Sequence, residues 1–325
     1  KLFRRSIMIK LISKTGLYFS LMTLCILTDM SCNKKVSGGT SPKTTTLGFI
    51  LANGSSTTIF NSAVVKAGLD TLFNSSSIFT LLIPTDQACI QSGFTPAVVN
   101  GFTYDEARNW VLYQTYAGTA LTFESFIGKS ELKLIMANGD SIFVSGDSNR
   151  TYVNGYQFIN SEVSASNGTM LALQNVLVPP TQNLSQLISN DTSLTFFYQA
   201  IQIATPAPDT LNNLLSGAGP YTLLAPVNDA FRFLGYNSPS DLNSANPDSL
   251  RTMILTSMIP LRLFSYDMTD SLALQTVNDS TLIINLSGIQ TRVRLSGSSH
   301  AANFVSYNSM ALNGVLFKID SVLVH

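Results

Sequence analysis

The sequence specifies an α+β fold in two tandem copies, and three observations lead there. Two blocks recur in the same order at nearly constant spacing. Each copy opens with helix-spaced apolar residues and closes with strand-like runs. The chain of 325 residues, at 45% hydrophobic, is long enough for two cores.

The first repeated block is Phe79-Thr-Leu-Leu-Ile-Pro-Thr-Asp-Gln-Ala-Cys89, matched by Tyr221-Thr-Leu-Leu-Ala-Pro-Val-Asn-Asp-Ala-Phe231. The second is Asn167-Gly-Thr-Met-Leu-Ala-Leu-Gln-Asn-Val-Leu-Val178, matched by Asn313-Gly-Val-Leu-Phe-Lys-Ile-Asp-Ser-Val-Leu-Val324. Asp70-Thr-Leu72 and Asp209-Thr-Leu211 repeat upstream. The seam falls near Pro179-Pro180, giving expected domains at 46–180 and 181–325.

The elements follow in order. Segments 59–72 and 194–215 present Phe60, Val64, Ala67 and Phe196, Ala200, Ile203 to a core at helical spacing. Phe79–Ile83 reads as a short strand, ended by Pro84, which has no N–H for a ladder; Pro226 repeats it. Thr85 or Asp86 can cap the helix that follows. Val227 replaces Thr85 in the second copy while Asn228 keeps a capping side chain, so Asp86/Asn228 is the expected cap. Asn154-Gly155 between Thr151-Tyr-Val and Tyr156-Gln-Phe-Ile is a hairpin signal. Asn167-Gly168 and Asn313-Gly314 each open a final strand.

The N-terminus reads as a targeting segment, 1–31. A basic stretch from Met8 to Lys14 precedes an apolar run, Gly16–Leu27, shorter than the ~20 residues a spanning helix needs. Ser31-Cys32 then resembles a bacterial lipobox, although Asp29 departs from it. That resemblance implies lipid on Cys32 as the sole membrane attachment; ordinary cleavage with Cys32 incidental is the alternative. Residues 32–45, rich in Ser, Thr, Gly and Lys, form a flexible tether.

Charged residues are only 12% of the chain, which suits an exported surface. Lys1, Arg4, Arg5, Lys10 and Lys14 cluster before the apolar run, so the remainder is net acidic and unsuited to nucleic acid. Of three cysteines only Cys89 lies within the repeats, beyond intramolecular pairing and with no metal-ligand spacing.

Taken together, the two blocks resemble those of fasciclin domains, over essentially the whole chain from about Thr46. Met253-Ile-Leu-Thr-Ser-Met-Ile-Pro-Leu-Arg-Leu-Phe264 is similar to the central run of that family. The Tyr-His pair there is Tyr113-Gln114 in copy one and Thr256-Ser257 in copy two. The family's His is implied to hold the local fold by hydrogen bonding, and that region is linked to adhesion in animal members. Its loss argues against carrying over integrin-type adhesion. Tyr113 is expected to pack with Trp110. The residues that map, Pro84, Thr85, Asp86, Tyr113, Asn167, Gly168, Pro226, Asn228, Asn313 and Gly314, read as structural.

A hydrolase would need His300, in a Ser-rich loop, or paired carboxylates from Glu106, Glu124, Glu131 and Glu162. No nucleophile elbow or phosphate loop accompanies them. No cofactor is implied. Asp-Ser/Thr-apolar tripeptides, as at Asp70, Asp140, Asp209, Asp248, Asp270 and Asp320, resemble acceptors for O-glycosylation or are ordinary turns. The expected function is a lipid-anchored envelope adhesion or binding module, not an enzyme. Its partner would be an envelope or extracellular protein or a polysaccharide. The alternative is an accessory subunit of an envelope or glycan-uptake complex.

Overall fold

The structure is a computed structural model, described over residues 45–204, 211–287 and 290–323. The expected targeting segment, Cys32 and almost all of the tether lie outside these residues, as do Asp209 and Thr210.

Copy one begins with α1 (Leu47–Asn53), α2 (Thr58–Lys66) and α3 (Asp70–Phe73), followed by β1 (Phe79–Pro84). Next come α4 (Asp86–Gln91), α5 (Pro96–Gly101), α6 (Tyr104–Tyr113) and β2 (Thr115–Ala117). It closes with β3 (Leu132–Ile135), β4 (Ser141–Gly146), β5 (Thr151–Val153), β6 (Tyr156–Ala165) and β7 (Gly168–Leu173). Copy two opens with α7 (Leu184–Asn190), α8 (Thr195–Ile203), α9 (Leu211–Ser216), β8 (Tyr221–Pro226) and α10 (Asn228–Phe233). After α11 (Pro247–Thr256) come β9 (Met258–Ile259), β10 (Ala273–Gln275), β11 (Thr281–Ser287), β12 (Gln290–Leu295), β13 (Ala301–Ala311) and β14 (Gly314–Ile319). The α+β expectation holds in both copies.

Each copy builds one seven-stranded sheet. The orders β2-β1-β7-β6-β5-β4-β3 and β9-β8-β14-β13-β12-β11-β10 are the same topology. The two repeated blocks meet in its second and third strands, beside the short edge strand. β1 pairs parallel with β7, Phe79 opposite Gly168 and Pro84 opposite Leu173. β8 pairs parallel with β14 in the equivalent register.

Every residue of β1 is buried, because cores lie on both faces of the strand. Leu81 and Ile83 join the helix-side core, while Leu82 joins the core on the opposite face. In copy two Leu223 and Ala225 face the helices and Leu224 faces away. This period of two, buried on both sides, is why the sequence shows an unbroken apolar run.

Trp110 anchors the helix-side core of copy one. Its ring stacks on Phe94 at 5.1 Å and meets Phe60 and Phe102 edge-on at 5.4 and 5.8 Å. Such pairs add about 0.5–1.5 kcal/mol each beyond area burial. Phe60, Val64 and Ala67 are fully buried; Phe196 and Ala200 are too, whereas Ile203 is only partly covered.

Asn154-Gly155 forms the expected tight turn. Its φ angles of 47° and 81° fit a turn with both central residues left-handed, and Val153 pairs with Tyr156 across it. The final strand of copy one stops at Leu173, short of the run to Val178 that the apolar pattern suggests. Residues 174–183 then pass to α7 without helix or strand.

Candidate functional site

Asn167 and Asn313 are equivalent nodes inside the two copies. Asn167 is 2% exposed, and its Oδ1 accepts from the Leu47 amide at the start of α1. Its Nδ2 donates to the carbonyls of Phe73 and Ser75, both at 2.8 Å. Asn313 repeats this with Leu184 N, Leu215 O and Gly217 O. One carboxamide thus closes the start of one helix and the end of another. Only a side chain with one acceptor and two donors on the same group can do this. The glycine that follows is equally constrained. A Cβ on Gly168 would lie 1.8 Å from the Phe79 carbonyl oxygen, and one on Gly314 2.2 Å from that of Tyr221.

The other block departs from expectation. Thr85, not Asp86, caps α4: its hydroxyl accepts from Ala88 N at 3.1 Å. Asp86 reaches a different helix, accepting from Ile59 N at 2.8 Å and from the Thr58 hydroxyl at 2.7 Å at the start of α2. Asn228 does the same for α8, accepting from Phe196 N and Thr195 Oγ1 and donating to Thr192 O. The reason is geometric. Asp86 is already the first residue of α4, whereas its side chain faces the frayed start of the neighbouring helix. Val227 leaves α10 with no side-chain cap.

Tyr113 is fully buried but belongs with Leu82, Val144 and Leu171, on the face of the sheet away from Trp110. The last turn of α6 carries it over the sheet, so helical spacing to Trp110 does not make them neighbours. Its hydroxyl donates to Ser141 O and accepts from Asn154 Nδ2, and burial pushes its pKa up to about 12. Gln114 donates from Nε2 to Leu177 O at 2.7 Å, tying the end of α6 to the chain leaving β7. Its Oε1 has no partner among the described residues. In copy two Ser257 turns its hydroxyl back to Met253 O within its own helix.

Sequence patterns gave no sign of the junction between the domains. Phe143 of β4 packs against the second copy's β-side core, with the Phe264 ring 6.1 Å away. The Arg262 guanidinium lies over Phe143 at 4.1 Å from the ring centroid, and Tyr152 stacks on Tyr266 at 3.9 Å. Ser265 reaches the Gly155 carbonyl of the hairpin turn, and Asn308 braces Ser265 through its main-chain amide and hydroxyl. Burial holds the Arg262 pKa below its ordinary value, with Glu131 and Tyr113 opposing. Glu131 is held up by burial and by Asp267, and Asp267 by burial. A crevice of about 330 Å³ lies beside this junction, lined by Tyr156, Pro180, Gln182 and Met310 among others.

The carboxylates considered for catalysis are scattered. Glu106 completes the capping box of α6, and bonds from Thr103 hold its pKa below the ordinary value. Glu162 accepts from Phe123 N, Glu124 sits on an exposed turn, and Glu131 is at the junction. His300 is exposed in its loop. Among the described residues no three His, Cys, Asp or Glu side chains come together in a way that could hold a metal. Cys89 is buried, and its thiol is pushed up to about 12 by burial and then by Asp86, which keeps it unreactive. The described Asp-Ser/Thr tripeptides share no single local structure: Thr71 and Ser249 lie in the first turns of α3 and α11, whereas Ser141 opens β4. No helix among the described residues is long and apolar enough to cross a membrane.

The fold and its nodes define a tandem α+β module, with the residues common to both copies bonded inside each copy. The chain belongs to the fasciclin-domain family, whose model matches residues 55–179 and 192–325. Among curated proteins, transforming growth factor-beta-induced protein ig-h3 of Sus scrofa is 27% identical over 172 residues, 53% of this chain and 24% of that one. Periostin of Homo sapiens is 26% identical over 175 residues, 53% of this chain and 20% of that one. The chain therefore spans about a quarter or less of the length of these relatives. Among solved structures, a FAS1 domain pair from the insect cell adhesion molecule fasciclin I aligns over 82% of this chain and 96% of that one. That alignment has 14% identity and a TM-score of 0.40.

Proposed function

We propose that this protein is an exported, lipid-anchored cell-envelope module that binds an extracellular or envelope protein or a polysaccharide through the outer surfaces of its two domains. The observation that carries this reading is the inward use of the repeated polar residues. Asn167, Asn313, Asp86 and Asn228 bond the protein's own backbone. What is left to face a partner is exposed surface, presented by two domains packed through Arg262–Phe143 and Tyr152–Tyr266. Fasciclin domains occur in cell-adhesion proteins, which supports a binding role. Cys32 supplies the anchor, and acyl chains there would hold the module at a membrane without a spanning helix.

The test has two readouts. A clickable fatty acid fed to expressing cells is expected to label the wild-type chain and not Cys32→Ser. Beads coated with the chain are expected to be retained on isolated envelopes or matrix polysaccharide above an uncoated control. An unlabelled chain, or coated beads that wash off both surfaces, would contradict the anchor or the binding role respectively.

A further inference from the structure

We propose that a groove on domain 1, between α4 and the end of β7, binds a neutral oligosaccharide; this deepens the binding role proposed above and rests on it. The groove holds about 400 Å³ and is lined by the carboxamides of Gln87, Gln91, Gln174 and Asn175 over a floor that includes Ala88 and Ile159. Gln87 and Gln91 stand one turn apart on α4, so they share a face. Gln174 and Asn175 follow directly where β7 ends.

Two features suit this place to a ligand. None of the four carboxamides makes a hydrogen bond among the described residues, and Gln87, Gln91 and Gln174 are exposed, so their donors and acceptors are open to a ligand. And no charged side chain lines the groove.

The second copy is a natural control. At the equivalent positions it carries Asp229, Phe233, Asp320 and Ser321. Asp229 pairs with Arg232, and Asp320 accepts from the amide and side chain of Asn303. Phe233 is 84% exposed. The neutral cluster of free carboxamides thus belongs to domain 1 alone.

Its chemistry selects the ligand class. Each carboxamide offers both a donor and an acceptor, as each sugar hydroxyl does, so four of them can bracket the hydroxyls of one or two rings. The aliphatic floor suits the C–H face of a pyranose. An anionic sugar would leave its carboxylate without a counter-charge. An extended peptide would call for side-chain pockets beside its backbone bonds, and the floor provides little for one.

The test is saturation-transfer NMR and titration calorimetry on the full chain. The probes are maltoheptaose, cellohexaose and mannohexaose, with hexagalacturonate and an uncharged octapeptide for comparison. At least one neutral oligosaccharide is expected to bind. Gln91→Ala with Gln174→Ala should weaken it at least tenfold with an unchanged unfolding midpoint, while Gln157→Ala, an exposed glutamine elsewhere, leaves it intact. No neutral binding, binding indifferent to the double variant, or preference for the peptide or the charged sugar would overturn the proposal. Should the double variant still be retained on envelopes as wild type is, the groove assignment fails while the binding role stands. Loss of retention in the wild type itself removes both.

Discussion

Domain 1 ties the end of α6 to the chain leaving β7 through Gln114, whereas domain 2 has only Ser257, whose hydroxyl turns back into its own helix. Both nonetheless draw the same seven-stranded sheet in the same order. The comparison separates what the fold requires from what it tolerates. The Asn-Gly pair and its three bonds are retained atom for atom. Asp86 exchanges with Asn228, because either offers the acceptor the neighbouring helix needs. Thr85 exchanges with Val227, and a whole cap disappears. The position that satisfies three backbone groups at once is kept, and the position that serves a single part-buried amide has drifted.

The largest effect should come from the fixed node. Asn167→Ala strands the Leu47 amide and two carbonyls, and is expected to cost about 3 kcal/mol in urea unfolding. Asn313→Ala should cost domain 2 a similar amount. A difference of more than twofold between them would break the equivalence. Next is the exchangeable position. Asp86→Ala is expected to lose about 1–2 kcal/mol, as other helix N-caps do, while Asp86→Asn stays close to wild type. Equal losses from both would show that charge, not the acceptor, matters. Thr85→Val should cost about 1 kcal/mol. The reverse change, Val227→Thr, should gain less, because Val227 also packs against the helix-side core.

The smallest effect belongs to domain 2 alone. Lys318 bonds Asp191 and Ser193 in a partly buried pair that copy one lacks, since Ala172 stands at the equivalent position. Desolvation raises the Asp191 pKa, but the bonds from Lys318 and Ser193 outweigh it and hold it below the ordinary value. A depressed carboxylate stabilises the fold above its unfolded pKa of about 3.9 and loses that contribution as pH falls through the lower folded value. Lys318→Met should therefore destabilise domain 2 by about 0.5 kcal/mol at pH 7 and by less near pH 3. Glu131 and Asp267 carry raised values, so their contribution fades instead as pH rises through their folded values, identically in both proteins. A Lys318→Met effect that did not shrink in acid would remove the ion pair from the account.

The residue pattern made much of the fold legible. Two apolar runs ending in Pro, two Asn-Gly pairs and one hairpin turn are local signals with local causes. Less legible were partners far along the chain. Asp86 lies 27 residues from the amide it caps, so its own helix looked like its natural client. Tyr113 sits at helical spacing from Trp110, but the helix ends there and the two side chains enter opposite cores. The junction left no periodic trace. Phe143 reads as one more strand residue, and Arg262 as one residue of a family run, until the fold sets one upon the other. The groove glutamines were silent in one copy and visible only by contrast with their counterparts in the other.

The central claim is that the repeated motif maintains the fold and that binding belongs to the outer surface. Retention of coated beads on envelopes tests it most directly, comparing wild type with Asp86→Asn and Tyr113→Phe, two changes chosen to keep the fold. Retention equal to wild type in both is the expected result, with the Asp86→Asn unfolding midpoint near wild type and that of Tyr113→Phe lowered by the two hydrogen bonds it loses. Loss of retention in either variant while it stays folded would contradict the claim and place the motif itself in the binding site.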